Sequence, residues 1–244
     1  MKATQSKVLI VLLTIMVIFL VIGCGGGSNG NNGGPSPTSD PTSGLIENFT
    51  VDTVMFFSTY SSKWTAENIS SSDISGGIVS GNVASGVLSI SATVSKTPHL
   101  VNSYSPLSAD YSVSAYVKAD TTGSAGVLVR WVDKANFYAL RVMADGKLNL
   151  SNSKVNNATI GTTVAPDCVI PDFDNTKWYK ITAKVKTETN GDVTIEGYLN
   201  DDDIPLESWT LSDTAKITSA GKAGLYATVN NATSQFEEFK IMSF

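Results

Sequence analysis

Six side chains could act together on one kind of ligand: Tyr116, Arg130, Arg141, Glu196, Tyr198 and Tyr226. Five of them fall on the polar phase of runs in which apolar and polar residues alternate, and Arg141 projects from the strand expected to pair with that of Arg130. Tyrosine rings pack on the C–H faces of pyranoses, while guanidinium, carboxylate and phenol groups satisfy sugar hydroxyls. Such a set suits the binding of a saccharide. A plainer use is also open, with the arginines paired to surface acids and the tyrosines covering sheet surface. Burying an unpaired arginine in mid-strand is costly, so Arg130 and Arg141 each require solvent, an acid or a ligand.

Other chemistry finds fewer residues. One histidine, His99, and two cysteines, Cys24 and Cys168, cannot build a zinc centre of nitrogen and sulfur ligands. His99 follows Pro98 in a segment read as a loop or strand start, with no serine or cysteine arrangement beside it. Cys168 has no cationic neighbour to lower its pKa and is expected as a partly buried thiol. No G-x-S-x-G, phosphate-binding loop or dinucleotide fingerprint occurs. With 17 basic against 22 acidic residues, a net charge of -5 has the wrong sign for neutralising phosphates. No nucleic-acid partner is expected.

The elements that hold these residues have a period of two. Tyr111, Val113, Ala115 and Val117 alternate with polar residues, as do Tyr179 to Val185, Val193 to Leu199 and Ala223 to Val229. That is the pattern of strands with one buried face. Thr122-Gly123, Asp145-Gly146, Asn190-Gly191 and Asn200-Asp201 punctuate the strands as turns. Short turns between strands mean antiparallel pairing, and many half-buried strands mean a two-sheet, all-β jelly-roll sandwich over residues 45–244. In that reading Trp64, Trp131, Trp178 and Trp209 belong to the core.

Ahead of that domain lies an export segment. Lys2 and Lys7 precede an apolar run from Val8 to Ile22, which is the layout of a secretory signal in residues 1–23 and is shorter than the roughly 20 apolar residues of a membrane span. Val21-Ile22-Gly23-Cys24 resembles a bacterial lipobox, which implies cleavage before Cys24 and acylation of that cysteine. Two or three acyl chains hold a protein on a bilayer stably. Gly25, where the inner-membrane retention signal carries Asp, points to the outer membrane of a bacterial envelope. Residues 24–44 then form a Gly/Ser/Asn/Pro tether without large apolar side chains, too polar to order by burial. As a flexible coil it spans about 25 Å.

Along the domain, a succession of motifs resembles the concanavalin A-like lectin/glucanase domains. It comprises Ala109-Asp110-Tyr111-Ser112-Val113, Gly126 to Asp133, Asn136 to Val142, Asp145-Gly146-Lys147-Leu148, Trp178-Tyr179-Lys180-Ile181, Gly221 to Tyr226 and Phe236 to Ile241. The likeness is nearest to the laminin-G-like and 3-keto-disaccharide-hydrolase-like branch. It implies a carbohydrate-binding or adhesion module, with a polysaccharide, a glycoconjugate or an envelope protein as partner. Many relatives hold a structural Ca²⁺ where first and last strands meet, and Glu47, Glu237 and Glu238 occupy the matching places. Glucanase relatives carry alternating acids on one central strand, yet Phe137 to Met143 contains none. A glycosidase pair, which needs carboxylates about 5 to 9.5 Å apart, would have to be assembled across strands from Glu196 and Asp133.

Overall fold

The computed structural model describes residues 44–47, 49, 64–67, 79–84, 86–104, 106, 108–153, 162–212 and 216–244. In chain order these form β1 (Gly44–Glu47), β2 (Trp64–Glu67), β3 (Val79–Ala84), β4 (Val87–Ala92), β5 (His99–Asn102), β6 (Tyr111–Lys118), β7 (Ser124–Asp133) and β8 (Asn136–Met143). They continue with β9 (Lys147–Ser153), β10 (Thr162–Val169), β11 (Tyr179–Thr187), β12 (Val193–Leu199), β13 (Glu207–Leu211), β14 (Lys222–Thr228) and β15 (Ala232–Ser243). One sheet has the order β13-β12-β11-β6-β15-β4-β3, with β1 also on β15, and the other has the order β10-β9-β8-β7-β14-β5-β2. Neighbouring strands are antiparallel throughout. This is the all-β two-sheet antiparallel sandwich expected from the alternation.

Alternation decides which face of each strand turns inward. Tyr111, Val113, Ala115 and Val117 of β6 and Ile181, Ala183 and Val185 of β11 are fully buried, and they meet Val127, Val129, Leu140, Val142, Leu148 and Leu225 of the other sheet in one core cluster. Burying each aliphatic side chain contributes about 1.5–3 kcal/mol, all of it lost if a strand slips by one residue. Gly146 and Gly191, each at φ 81°, close the β8–β9 and β11–β12 hairpins. Asn200 and Asp201, with φ 53° and 64°, turn β12 into β13. The Thr122-Gly123 turn does something else. It carries the chain from β6 in one sheet to β7 in the other, so it is a crossover and not a hairpin.

One irregularity reverses an expectation. Lys222 pairs with Trp131 and Gly224 with Leu128, which leaves Val129 and Arg130 together opposite Ala223. The extra residue is a β-bulge, and Arg130 adopts φ 49° within it. Beyond the bulge the two faces exchange. Arg130, expected on the wet face, is fully buried, and Trp131, expected in the core, packs on the outer face of the seven-stranded sheet.

Candidate functional site

Arg130 is a structural residue rather than a ligand contact. Its guanidinium donates to Ile217 O at 2.6 Å, Ala109 O at 3.1 Å and Thr187 Oγ1 at 2.7 Å, and stands 3.9 Å from Asp110. Its backbone N–H donates to Tyr111 Oη at 2.6 Å, and that hydroxyl donates to Ala220 O. The side chain is fully buried, its Nε without a partner, so nothing is offered to a ligand at the surface.

The five remaining candidates lie on the two outer faces of the sandwich, where Tyr226, expected on a wet face, is instead 1% exposed and packed with Val101, Leu128, Phe137 and Ala139. Tyr116, Tyr198 and Glu196 project from the eight-stranded sheet. There Tyr198 Oη donates to Glu196 at 2.6 Å, Lys184 Nζ lies 4.2 Å from the Tyr198 ring, and Lys180 Nζ lies 5.6 Å from the Tyr116 ring. Desolvation, reinforced by nearby carboxylates, pushes both phenols up to about 12. Each tyrosine already carries a lysine, and Glu196 already accepts a proton donor. Asp133 belongs to the opposite sheet, where it caps the β7–β8 turn through Ala135 N and Asn136 Nδ2. An acid pair of Glu196 with Asp133 is therefore not assembled.

Arg141 and Tyr226 come together on the outer face of the seven-stranded sheet. Asn149, Arg141, Gly126, Tyr226, His99 and Glu67 are successive register partners, forming one row across β9, β8, β7, β14, β5 and β2. Gly126 is the gap that makes the row work. A Cβ there would lie 2.7 Å from the Arg141 Cβ and 2.3 Å from Leu140 O, so only glycine lets the arginine lean across β7. Its guanidinium carbon then sits 5.6 Å from the Tyr226 ring centroid, within cation–π range.

A polar ladder holds the arginine at its other side. Arg141 Nε donates to Asn149 Oδ1 at 2.9 Å, Ser151 Oγ donates to the same oxygen at 3.1 Å, and Asn149 Nδ2 donates to Asp167 at 2.6 Å. The opposite amide orientation would set an NH₂ group against the guanidinium, so this ladder fixes the Asn149 rotamer. On the far side of Tyr226, His99 stacks at 5.3 Å and meets Phe137 edge-on at 4.5 Å. Both imidazole nitrogens are buried without a hydrogen-bond partner, and burial pushes the ring's pKa down to about 4. His99 is therefore a neutral ring in an aromatic cluster with Phe137 and Tyr226.

Asn149, Asp167, Ser151, Phe137 and Gly126 escaped the residue-by-residue reading. One signal was available: counting outward from the Asp145-Gly146 turn sets Arg141 opposite Asn149. Phe137 and His99 carried none, because aromatic residues at alternating positions look the same whichever face they take.

The calcium expectation meets the fold at the strands it named. Glu47 pairs with Phe239, so first and last strands do adjoin near Glu237 and Glu238, though the Glu47 side chain lies outside the described residues. Glu237 has its pKa raised by burial and by Glu238, the behaviour of crowded acids. Among the described residues no three acids, histidines or cysteines gather closely enough for a cation, which needs about six to eight oxygens.

Cys168, expected as a thiol, is 2% exposed and disulfide-bonded. The one other cysteine in the sequence, Cys24, lies outside the described residues together with the whole of residues 1–43.

No family model and no curated protein matches this sequence. Solved structures do match its fold. A carbohydrate-binding module, CBM66 from Bacillus subtilis, superposes with a TM-score of 0.53 at 18% identity over 77% of this chain and 99% of its own. The carbohydrate recognition domain of Emp46p, in a metal-free form, gives 0.53 at 9% over 80% and 97%. The exoplasmic/lumenal domain of VIP36, in a Ca²⁺/Man3GlcNAc-bound form, gives 0.50 at 13% over 82% and 90%. The fold is that of the concanavalin A-like lectin domains. At such identities the likeness extends to architecture, and the concanavalin A-like sandwich by itself selects no ligand.

Proposed function

We propose that this protein is a carbohydrate-binding module whose ligand meets the outer face of the seven-stranded sheet at Arg141. The observation that carries this reading is the row Asn149–Arg141–Gly126–Tyr226–His99, in which a polar ladder on one side and the buried Tyr226 and His99 rings on the other fix Arg141 at the face. A fixed, forked donor beside amide and hydroxyl groups is suited to the oxygens of a sugar. The structural neighbours support it in kind, since they include a carbohydrate-binding module and a carbohydrate recognition domain. The motif succession from Ala109 to Ile241 supports placing the domain in the laminin-G-like and 3-keto-disaccharide-hydrolase-like branch.

The full chain, solubilised in detergent, is expected to be retarded in native gels cast with one or a few polysaccharides. Arg141→Ala is expected to weaken that retardation about tenfold or more, as truncated binding hot spots do, at unchanged gel mobility without polysaccharide. Uniform mobility across a broad panel would turn the reading toward a protein partner in the envelope.

Within the same proposal, acylated Cys24 anchors the module to the outer membrane and residues 25–44 supply its reach. A sulfur carrying a diacylglyceryl thioether cannot also hold a disulfide, so in the acylated protein Cys168 is released from the bond it makes in this structure, and the state of Cys24 separates the two arrangements. Mass spectrometry of protein extracted from membranes is expected to find the lipid adduct on an N-terminal Cys24 peptide. A Cys24 peptide cross-linked to that of Cys168 would overturn the anchor.

A further inference from the structure

We propose that the saccharide received by this face is anionic, and that its acid group is met by Arg141. This rests on the carbohydrate-binding reading and narrows it to a chemical class. Arg141 is 8% exposed, yet the one acceptor it meets among the described residues is the neutral Asn149 Oδ1. Asp167, the acid nearest along the ladder, reaches it only through the Asn149 amide, and its second oxygen lies 4.0 Å from Lys147 Nζ. Tyr226 offers the cation a ring face and no charge.

Among the described residues only Nε is engaged by protein. The two terminal amino groups of Arg141 are absent from the buried donors that lack a partner, so they open toward solvent. A largely desolvated cation with a planar fork turned outward matches a pair of oxygens on a carboxylate or sulfate. A neutral hydroxyl would accept one N–H and leave the charge uncompensated. Arg130 supplies the internal contrast: this arginine, which the fold uses structurally, receives two carbonyls, a hydroxyl and a nearby carboxylate from the protein itself. Arg141 receives none of these but an amide.

The chain's net charge of -5 opposes polyanions at long range, a repulsion screened beyond about 8–10 Å at ordinary salt, so short oligosaccharides are the suitable probes. Isothermal titration of the full chain in detergent would compare trigalacturonate with its trimethyl ester, and a sulfated maltotriose with maltotriose. The charged member of at least one pair is expected to bind about tenfold tighter or more, the scale of a charge-assisted hydrogen bond. Which pair responds distinguishes a uronate from a sulfate ester. Arg141→Gln is expected to erase the preference, while Arg141→Lys retains part of it because the charge remains without the fork. Equal affinity for charged and neutral members would overturn the anionic assignment and leave carbohydrate binding standing. An undiminished preference in Arg141→Gln that melts like the wild type would overturn the role of Arg141. No affinity for any member, with no retardation by any polysaccharide in the gels, would end both readings.

Discussion

Arg130→Ala is expected to destabilise the fold by about 3–5 kcal/mol, the scale seen when one partner of a buried charged network is removed. The acceptors left behind define the size of the effect. Ile217 O, Ala109 O and Thr187 Oγ1 belong to the segment before β14, the entry to β6 and the end of β11, and one guanidinium draws them onto the β7 bulge. Tyr111 adds a brace, accepting from Arg130 N and donating to Ala220 O. For a domain of this size the loss corresponds to about 10 °C in melting temperature, readable by calorimetry or urea unfolding. Arg130→Lys is expected to recover only part, since one ammonium cannot span acceptors set for a planar fork. Polysaccharide retardation by the folded fraction is expected to stay unchanged. A cost below about 1 kcal/mol would show that the bulge is held by backbone pairing alone.

That residue also marks where sequence reading reached its limit. Alternation located β6, β11, β12 and β14 and gave the inward phase of each correctly, because a period-two pattern and a buried face are the same physical fact. Parity fails at a bulge. Nothing in Gly126 to Asp133 announces that Val129 and Arg130 share one partner, since the register shift is enforced by β14 pairing from far along the chain. Arg130 and Trp131 therefore exchanged roles. For the same reason the polar-phase residues could be identified without knowing which of two outer faces each would occupy. Tyr198 and Tyr226 read alike in one dimension, yet one lies under Lys184 on the eight-stranded sheet and the other between Arg141 and His99 on the seven-stranded sheet. Only the strand order separates them.

His99 shows how a feature with no evident use in the sequence acquires a measurable consequence. Its ring is fully buried beside Tyr226 and Phe137, with Glu67 its register partner on β2 and Arg141 beyond Tyr226. Neither nitrogen has a hydrogen-bond partner, so protonation would place an unsolvated charge among aromatic rings. The folded pKa of about 4 lies below the unfolded value of about 6.5, and between those values the unfolded chain binds more protons. Stability from this group is thus complete above pH 6.5 and is lost as pH falls toward 4, by about 3 kcal/mol in total.

Other groups titrate on acidification as well. Asp120 and Asp192 have pKa values held below the usual carboxylate range, chiefly by hydrogen bonds from backbone Thr121 and from Lys216, so their contributions fade at still lower pH. Glu237 is raised by burial and shifts in the opposite sense. Comparison with His99→Leu removes these shared terms. At pH 7 the variant loses ring contacts worth about 0.5–1.5 kcal/mol each and sheds two orphaned nitrogens, which nearly offset one another. At pH 4.5 it is expected to exceed the wild type by about 2–3 kcal/mol, so the two stability curves cross between these pH values. Urea unfolding from pH 4 to 7.5 reads this directly. Parallel curves would mean that His99 finds a proton acceptor in solution, and the row from Arg141 to Glu67 would then be more open at its histidine end than its burial indicates.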